Sequence, residues 1–429
     1  MPKTKLSSPY SEPLFRSNPY SIYERLRQET PVQKTVLPDG TEVYLVTRYA
    51  DVQAALKDNR LVKNISHARG KTFLQTLGFG GLRNKNMLRA DPPEHTRLRS
   101  LANEAFKPKY IRQLRGHIEQ IANNLIDKVQ ARGKMEFISE FAFPLPITVI
   151  SEMLGVPNKD YAKFREWSSD LIASGALSSE NPHFSPDILR FVRYVRKLIS
   201  DHQRNPRPDL VTQLIEAEEN GDRLSGGELV STIVLLLIAG HETTVNLIGN
   251  GMLALLANPD QLQKLKKDPE LIKPAIEELL RYVNPVQLVN RYASEDIEID
   301  GQHIPKGSHL QMLLASANHD PMYAPEPERL DVTHKDAQHV AFGQGIHYCL
   351  EAPLARLEGE IAFLVLVQIG FYRCFFAICI FAITSVYAGP SIWRVSSKNT
   401  TTAICTRTDK STLKNQLVLT FVQQLYNTS

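Results

Sequence analysis

The residues with the most chemical potential lie in one short stretch, Ala341-Phe342-Gly343-Gln344-Gly345-Ile346-His347-Tyr348-Cys349-Leu350-Glu351-Ala352-Pro353-Leu354-Ala355-Arg356. Its two glycines let the backbone bend tightly beneath a flat ligand. Cys349 follows where a helix begins, so backbone N–H groups and the helix dipole favour its thiolate. A thiolate held in this way is a strong axial ligand for haem iron. Other readings of the same residues are weaker. A dinucleotide loop needs a third glycine, a preceding strand and an acidic partner. A zinc site through His347 and Cys349 needs two more ligands nearby. A lone buried cysteine would carry no function at all.

A second set lies upstream. Ala239-Gly240-His241-Glu242-Thr243-Thr244 interrupts a long apolar run, and a glutamate buried there is costly without partners or water. The zinc-protease pattern fails, because Val245 stands where its second histidine is required. Glu278-Leu279-Leu280-Arg281 sets an acid and a base three apart on one helical face. His95 and Arg99 are four apart and share a face. With Arg291 and His347 they could neutralise the acidic groups of a buried ligand, although each taken singly reads as a solvated charge.

Phe342-Gly343-x-Gly345-x-His347-x-Cys349 resembles the haem-binding signature of the cytochromes P-450, and the other motifs follow in that family's order over about residues 1–365. The resemblance implies a mainly α fold with small β-sheets, and a long central helix crossing over the haem. It implies haem b as cofactor, Cys349 as the axial ligand of its iron, and dioxygen as co-substrate. Glu242 and Thr243 become the catalytic pair: Thr243 hydrogen-bonds the oxygen bound to iron and Glu242 relays protons from solvent. Ala239, Gly240, Phe342, Gly343 and His347 line the cofactor, with Gly240 freeing the helix to widen and admit oxygen. His95, Arg99, Arg291 and His347 hold the haem propionates. Glu278 and Arg281 form a buried network with a later arginine, here Arg329, that holds the cysteine loop. Met87, Leu88, Leu235, Ile238, Val286 and Gln287 line the substrate pocket by position, and the segment from Tyr161 to Gln203 forms its lid.

The same resemblance implies a soluble, cytoplasmic bacterial monooxygenase without a membrane anchor. It would hydroxylate, epoxidise or desaturate a small apolar molecule, with polyketide-type tailoring favoured. Electrons would come from NAD(P)H through a ferredoxin or flavodoxin and its reductase. The chain departs from the family in three places. Glu351 replaces the glycine usual two residues after the cysteine, His334 stands where an arginine is usual, and the end of the chain lacks the family's closing β-hairpin. These departures define one alternative, a haem-binding but catalytically impaired protein. A second alternative is a non-enzymatic helical binding protein with an idle cysteine.

Positioning these residues demands particular elements. Ser225 and Glu228 have capping-box spacing, and apolar residues continue to Ala257, which predicts a helix of about 32 residues, roughly 48 Å long. It is apolar nearly all round between Ile233 and Ala239, as a helix through a core must be. Further helices are expected over Pro19–Glu29, over much of Pro92 to Ser200, over Pro274–Tyr282 and over Pro353–Leu366. Strands are expected at 42–47, around Val286–Tyr292 and Ile297–Ile304, and residues 60–90 read as loop.

Composition excludes other classes. The chain has 429 residues, 22% charged and 42% hydrophobic, which rules out wholesale disorder. A net charge of +4 does not argue for nucleic acid. From Ile361 to Ser429 there are six basic residues and one acidic residue, Asp409, so the first 360 carry 44 basic and 45 acidic. The last part is thus compositionally foreign, and its character fits a frameshifted reading. We therefore expect one large domain over 1–366 and an atypical tail over 367–429. The apolar stretch Ile361–Ala388 is long enough for a membrane span but reads better as a core helix running into that tail. One cysteine in the first 373 residues excludes a disulfide framework and points to a reducing compartment.

Overall fold

The central helix starts where the sequence places it. In the computed structural model, which describes residues 8–69, 86–167 and 186–368 apart from 13, 14, 16, 17, 104, 105, 133, 134, 162, 165, 220 and 221, the Ser225 hydroxyl accepts from the Glu228 N–H. The Glu228 carboxylate accepts in return from the Ser225 N–H. This reciprocal cap satisfies two N–H groups that a helix start leaves orphaned.

Eight helices position the site: α1 (Tyr49–Lys57), α2 (Glu94–Asn103), α3 (Arg115–Gln130), α4 (Pro144–Met153), α5 (Pro186–Arg204), α6 (Gly226–Ala257), α7 (Ile272–Val283) and α8 (Ala352–Gln368). The helix α6 packs on α4, α5, α7 and α8 and forms the axis of the main apolar core. Removing that apolar surface from water is the chief driving force for this arrangement. The expected helix over Pro274–Tyr282 is α7, and that over Pro353–Leu366 is α8, each slightly longer than the pattern suggests.

Five strands make the principal sheet: β1 (Val32–Val36), β2 (Glu42–Val46), β3 (Leu61–Val62), β4 (Val289–Ala293) and β5 (His309–Met312), in the order β1-β2-β5-β4-β3. Only β2 and β5 pair in parallel. The strand expected around Val286–Tyr292 begins at Val289. The one expected over Ile297–Ile304 is a hairpin, Ile297–Ile299 with Gln302–Ile304. Its turn residues Asp300 and Gly301 have φ of 48° and 72°, the positive values a two-residue hairpin turn needs. The stretch read as loop over 60–90 contains β3 and a short helix, Ile65–Arg69; residues 70–85 lie outside the described residues. So do 168–185 of the expected lid, whose later half is α5, and the whole tail after 368 with Cys374, Cys379 and Cys405.

A buried ion pair ties the helical core to the cysteine loop. Arg281 is 2% exposed and Glu278 1%; Nε and Nη2 of Arg281 donate to the two carboxylate oxygens, each at 2.8 Å. The remaining guanidinium donors reach the carbonyls of Asn318 (3.1 Å), Pro327 (2.9 Å) and Arg329 (3.3 Å). Asn318 in turn accepts from the Val340 N–H at 2.8 Å, just before the loop. The expectation for Arg329 needs correcting. Its side chain is exposed and pairs with Glu326, so it lends the network a carbonyl and no charge. The side chain that approaches Glu278 instead is His334, Nδ1 at 3.4 Å, the residue standing where the resemblance expects arginine.

The loop itself turns on Gly345. Its φ is +69°, and a Cβ there would lie 2.7 Å from the Leu56 carbonyl oxygen at the end of α1. Backbone cannot swing aside as a side-chain tip does, so only glycine fits.

Two outcomes follow for denaturation midpoints. Glu278→Gln strands a buried guanidinium without its counter-charge and should destabilise the protein by about 3–5 kcal/mol, whereas Arg329→Ala should leave the midpoint unchanged. Gly345→Ala should destabilise by at least about 1 kcal/mol through backbone strain alone, and equal stability of the variant would refute the loop geometry.

Candidate active site

The cysteine loop is closed by its own backbone: the Cys349 N–H donates to the Phe342 carbonyl at 2.9 Å and the Gly343 N–H to that of Val340 at 2.8 Å. The N–H groups of Glu351 and Ala352 point at the Cys349 sulfur and favour its charged form, as does Arg99. Burial and then the Glu351 carboxylate outweigh them, and the thiol is pushed up to about 12. The helix start thus supplies the donors that the spacing predicts, but without a metal they do not hold a thiolate. A cation bound at the sulfur would.

The loop is also braced from its flank, in a way the sequence did not suggest. Glu277 binds Arg356 through both oxygens (2.6 and 2.8 Å) and accepts from His339 (3.1 Å). Burial opposes its charge, but these hydrogen bonds prevail and hold Glu277 down at about 2. Arg356 also lies over the Phe342 ring, 4.5 Å from its centroid, and donates to the Tyr348 hydroxyl.

Facing the loop, α6 opens at one place. From Glu228 to Val245 every residue is buried except Ala239, which is exposed, and Thr243, which is partly so. They are four apart and form one stripe, and the Thr243 hydroxyl donates to the Ala239 carbonyl at 3.0 Å. Glu242 is buried, and burial pushes its carboxyl up to about 7. The His241 Nδ1–H donates to the Leu237 carbonyl (2.7 Å), and burial lowers the ring to about 4, so it is a neutral core histidine. The expected widening at Gly240 is absent: α6 is α-helical throughout, and the space beside Gly240 is taken by the Glu351 carboxyl.

The predicted cations converge. His95 on α2 has its ring 4.3 Å from that of His347. His347 is driven strongly down by burial and then by Lys63, Arg291, His95 and Arg99. Lys63 was missed. It directly follows β3, whose pairing of Val62 with Tyr292 brings it next to Arg291; burial, Arg291 and Arg89 depress it, against Asp91. The Asp91 carboxylate is already engaged by the N–H groups of Lys63 (2.7 Å) and Asn64 (2.9 Å) and by His67 (2.9 Å). The signal for Lys63 is strand register, which one sequence does not display.

These residues fit haem. A cluster of mutually repelling cations, with the buried His95 Nε2 left without a partner, suits a ligand bearing two carboxylates. The loop bearing the sulfur reaches α6 at Gly240, between the accessible Ala239 and Thr243, which suits a group held by both elements. Of the expected pocket residues, Met87, Leu88, Leu235 and Ile238 join one apolar cluster, whereas Val286 packs against the sheet's cluster. Gln287 donates to the Asn284 carbonyl at 2.9 Å and keeps a buried Oε1 without a partner.

Comparison with known proteins agrees with this site. The family model described as "Cytochrome P450" matches residues 187–369. The polyketide biosynthesis cytochrome P450 PksS of Bacillus subtilis is 42% identical over 82% of this chain and 89% of its own length. Its solved structure superposes with a TM-score of 0.76 at 40% identity, covering 84% of this chain and 90% of that one. The cytochrome P450 monooxygenase PikC of Streptomyces venezuelae is 40% identical over 82% of this chain and 84% of its own length. P450BioI, solved with an acyl carrier protein ligated to hexadec-9Z-enoic acid, gives a TM-score of 0.75 at 39% identity, covering 82% and 91%. With 40% identity or more to proteins it spans almost end to end, and with the cysteine loop, cation cluster and opened helix in place, this chain belongs to the cytochrome P450 family and is a haem-thiolate monooxygenase.

Proposed function

We propose that Cys349 would supply the sulfur ligand of the haem iron, that Lys63, His95, Arg99, Arg291 and His347 would hold the propionates, and that Glu242 and Thr243 would manage protons for the reaction. The observation carrying this reading is the meeting of the cysteine loop with the accessible stretch of α6. The Cys349 sulfur receives helix-start N–H groups, and the same helix start reaches α6 through Glu351 at Gly240, between the accessible Ala239 and Thr243.

Haem would supply dioxygen activation: with two electrons and two protons from outside, one oxygen atom enters the substrate and the other leaves as water. The chain supplies the rest. The cations fix the ring's acidic edge. The Thr243 hydroxyl, anchored on the Ala239 carbonyl, is both a donor and an acceptor at the slot. Glu242, with its carboxyl near neutrality, can release and regain a proton at working pH, which is what general acid–base help requires. The substrate we infer is a large, mostly apolar organic molecule of polyketide type. Met87, Leu88, Leu235 and Ile238 belong to the apolar cluster around α6 and are the surface we assign to it. The names of PksS, a polyketide biosynthesis cytochrome P450, and of the 6-deoxyerythronolide B hydroxylase of Saccharopolyspora erythraea, 38% identical to this chain, support this class. The electron donor we infer is a ferredoxin or flavodoxin with its NAD(P)H-dependent reductase, in the cytoplasm. We read residues 1–366 as the catalytic unit and the tail as a frameshifted end; an ordinary family ending in the alternative frame of the coding DNA is the expected finding.

Cys349→Ala should abolish the red-shifted Soret band of the reduced, carbon monoxide-treated protein and all oxygenation; persistence of both would overturn the assignment. Glu242→Gln should lower turnover by about 10²-fold or more while substrate-induced spectral shifts remain. It should also change the pH dependence of stability. Folded Glu242 keeps its proton up to about 7, whereas the ordinary value is 4.5, so wild-type stability falls as pH rises across that window. Relative to wild type, Glu242→Gln should gain up to about 3 kcal/mol above pH 7 and nothing below pH 4.5. Equal pH profiles would show that Glu242 is not buried in the working enzyme.

A further inference from the structure

Two acids at the start of α8 have no catalytic part above, although the Glu351 carboxyl raises the Cys349 thiol. Glu351 is 5% exposed and Glu358 fully buried, and none of their four carboxylate oxygens has a hydrogen-bond partner among the described residues. The Glu351 carboxyl lies against α6. A Cβ placed on Gly240 would sit 2.6 Å from its Oε2, 3.3 Å from its Cδ and 3.3 Å from Ile150 Cγ1. A side-chain tip in such a contact normally swings into water. This one is enclosed, with α6 and Ile150 around Gly240 and Glu358 as an electrostatic neighbour. The cysteine helix and the central helix therefore meet through a carboxyl seated in the space of a missing side chain. With glycine at 351 the helices could close on each other; here a side chain of five heavy atoms stands between them.

We propose that Glu351 is a positioning residue, a spacer that sets the separation of the Cys349 helix from α6 and thus the width of the haem slot, with Gly240 as its obligatory socket. The proposal rests on the haem-thiolate reading of Cys349. It acts through bulk, since the contact is steric and the carboxyl bonds to nothing.

The test uses the full-length, haem-loaded protein and four variants: Glu351→Gly, Glu351→Gln, Gly240→Ala and the double variant Gly240→Ala/Glu351→Gly. Haem occupancy, the Soret maximum with and without carbon monoxide, and the melting temperature are read for each. Gly240→Ala should lower haem occupancy about fivefold in the wild-type background and less than twofold when Glu351 is glycine, the non-additivity expected of touching groups. Glu351→Gly should shift the Soret maximum and raise the melting temperature, and Glu351→Gln, which keeps the bulk, should leave the Soret at its wild-type position. Equal losses from Gly240→Ala in both backgrounds, or a Soret shift in Glu351→Gln as large as in Glu351→Gly, would overturn the spacer. If coupling in melting temperature appears while the carbon monoxide complex lacks the thiolate position, the ligand reading fails and the spacer stands.

Discussion

A guanidinium that cannot shed its proton and cannot reach water has to be neutralised by what surrounds it. Arg281 meets that demand with both oxygens of Glu278 and three main-chain carbonyls from 318–329. Satisfying one charge thereby fixes the path of a long, irregular segment that no regular secondary structure holds. Asn318 passes the constraint to Val340, and the Val340 carbonyl receives the Gly343 N–H, so the register of the cysteine loop is set from the helical core outward. The Glu277–Arg356 pair repeats the device one residue away on α7, bracing the start of α8. Neighbouring acids on one helix thus orient the two sides of the loop that bears Cys349.

Around the slot, burial is the largest influence on several ionisable groups. It drives His241 and His347 to the neutral form, raises Glu242 toward 7 and keeps the Cys349 thiol protonated. The site is therefore organised for charges that arrive with its ligand. On the proposed reading, carboxylates would satisfy the cations from β3, α2, β4 and the loop, and a metal cation would satisfy the sulfur. The protein would then contribute a fixed electrostatic seat and a proton-handling pair, which need no reorganisation when the reaction begins.

Much of this was legible in the residues. The capping box and the continuous apolar run gave α6 to within its observed ends, because both signals are local. His95 and Arg99 were legible as one face because helical spacing is fixed. The errors have a common origin. Arg329 was chosen as the third member of the buried network by residue type, but the network wanted a carbonyl at that point and an imidazole, His334, five residues later. Gly240 was assigned to helix widening, whereas the group that needs its empty space comes from 111 residues downstream. Lys63 and Glu277 were invisible because nothing near them in the chain distinguishes them from surface charges.

By itself the sequence determined which groups exist and how each is spaced along its own element: a cysteine after two glycines, an acid–alcohol pair within an apolar helix, cations at helical intervals. Those properties depend on backbone periodicity and on neighbours a few residues away. Only the tertiary structure decided which charges would meet, which would lose water and which empty space would be filled, because desolvation and Coulomb interaction act through distance in space and are blind to distance along the chain.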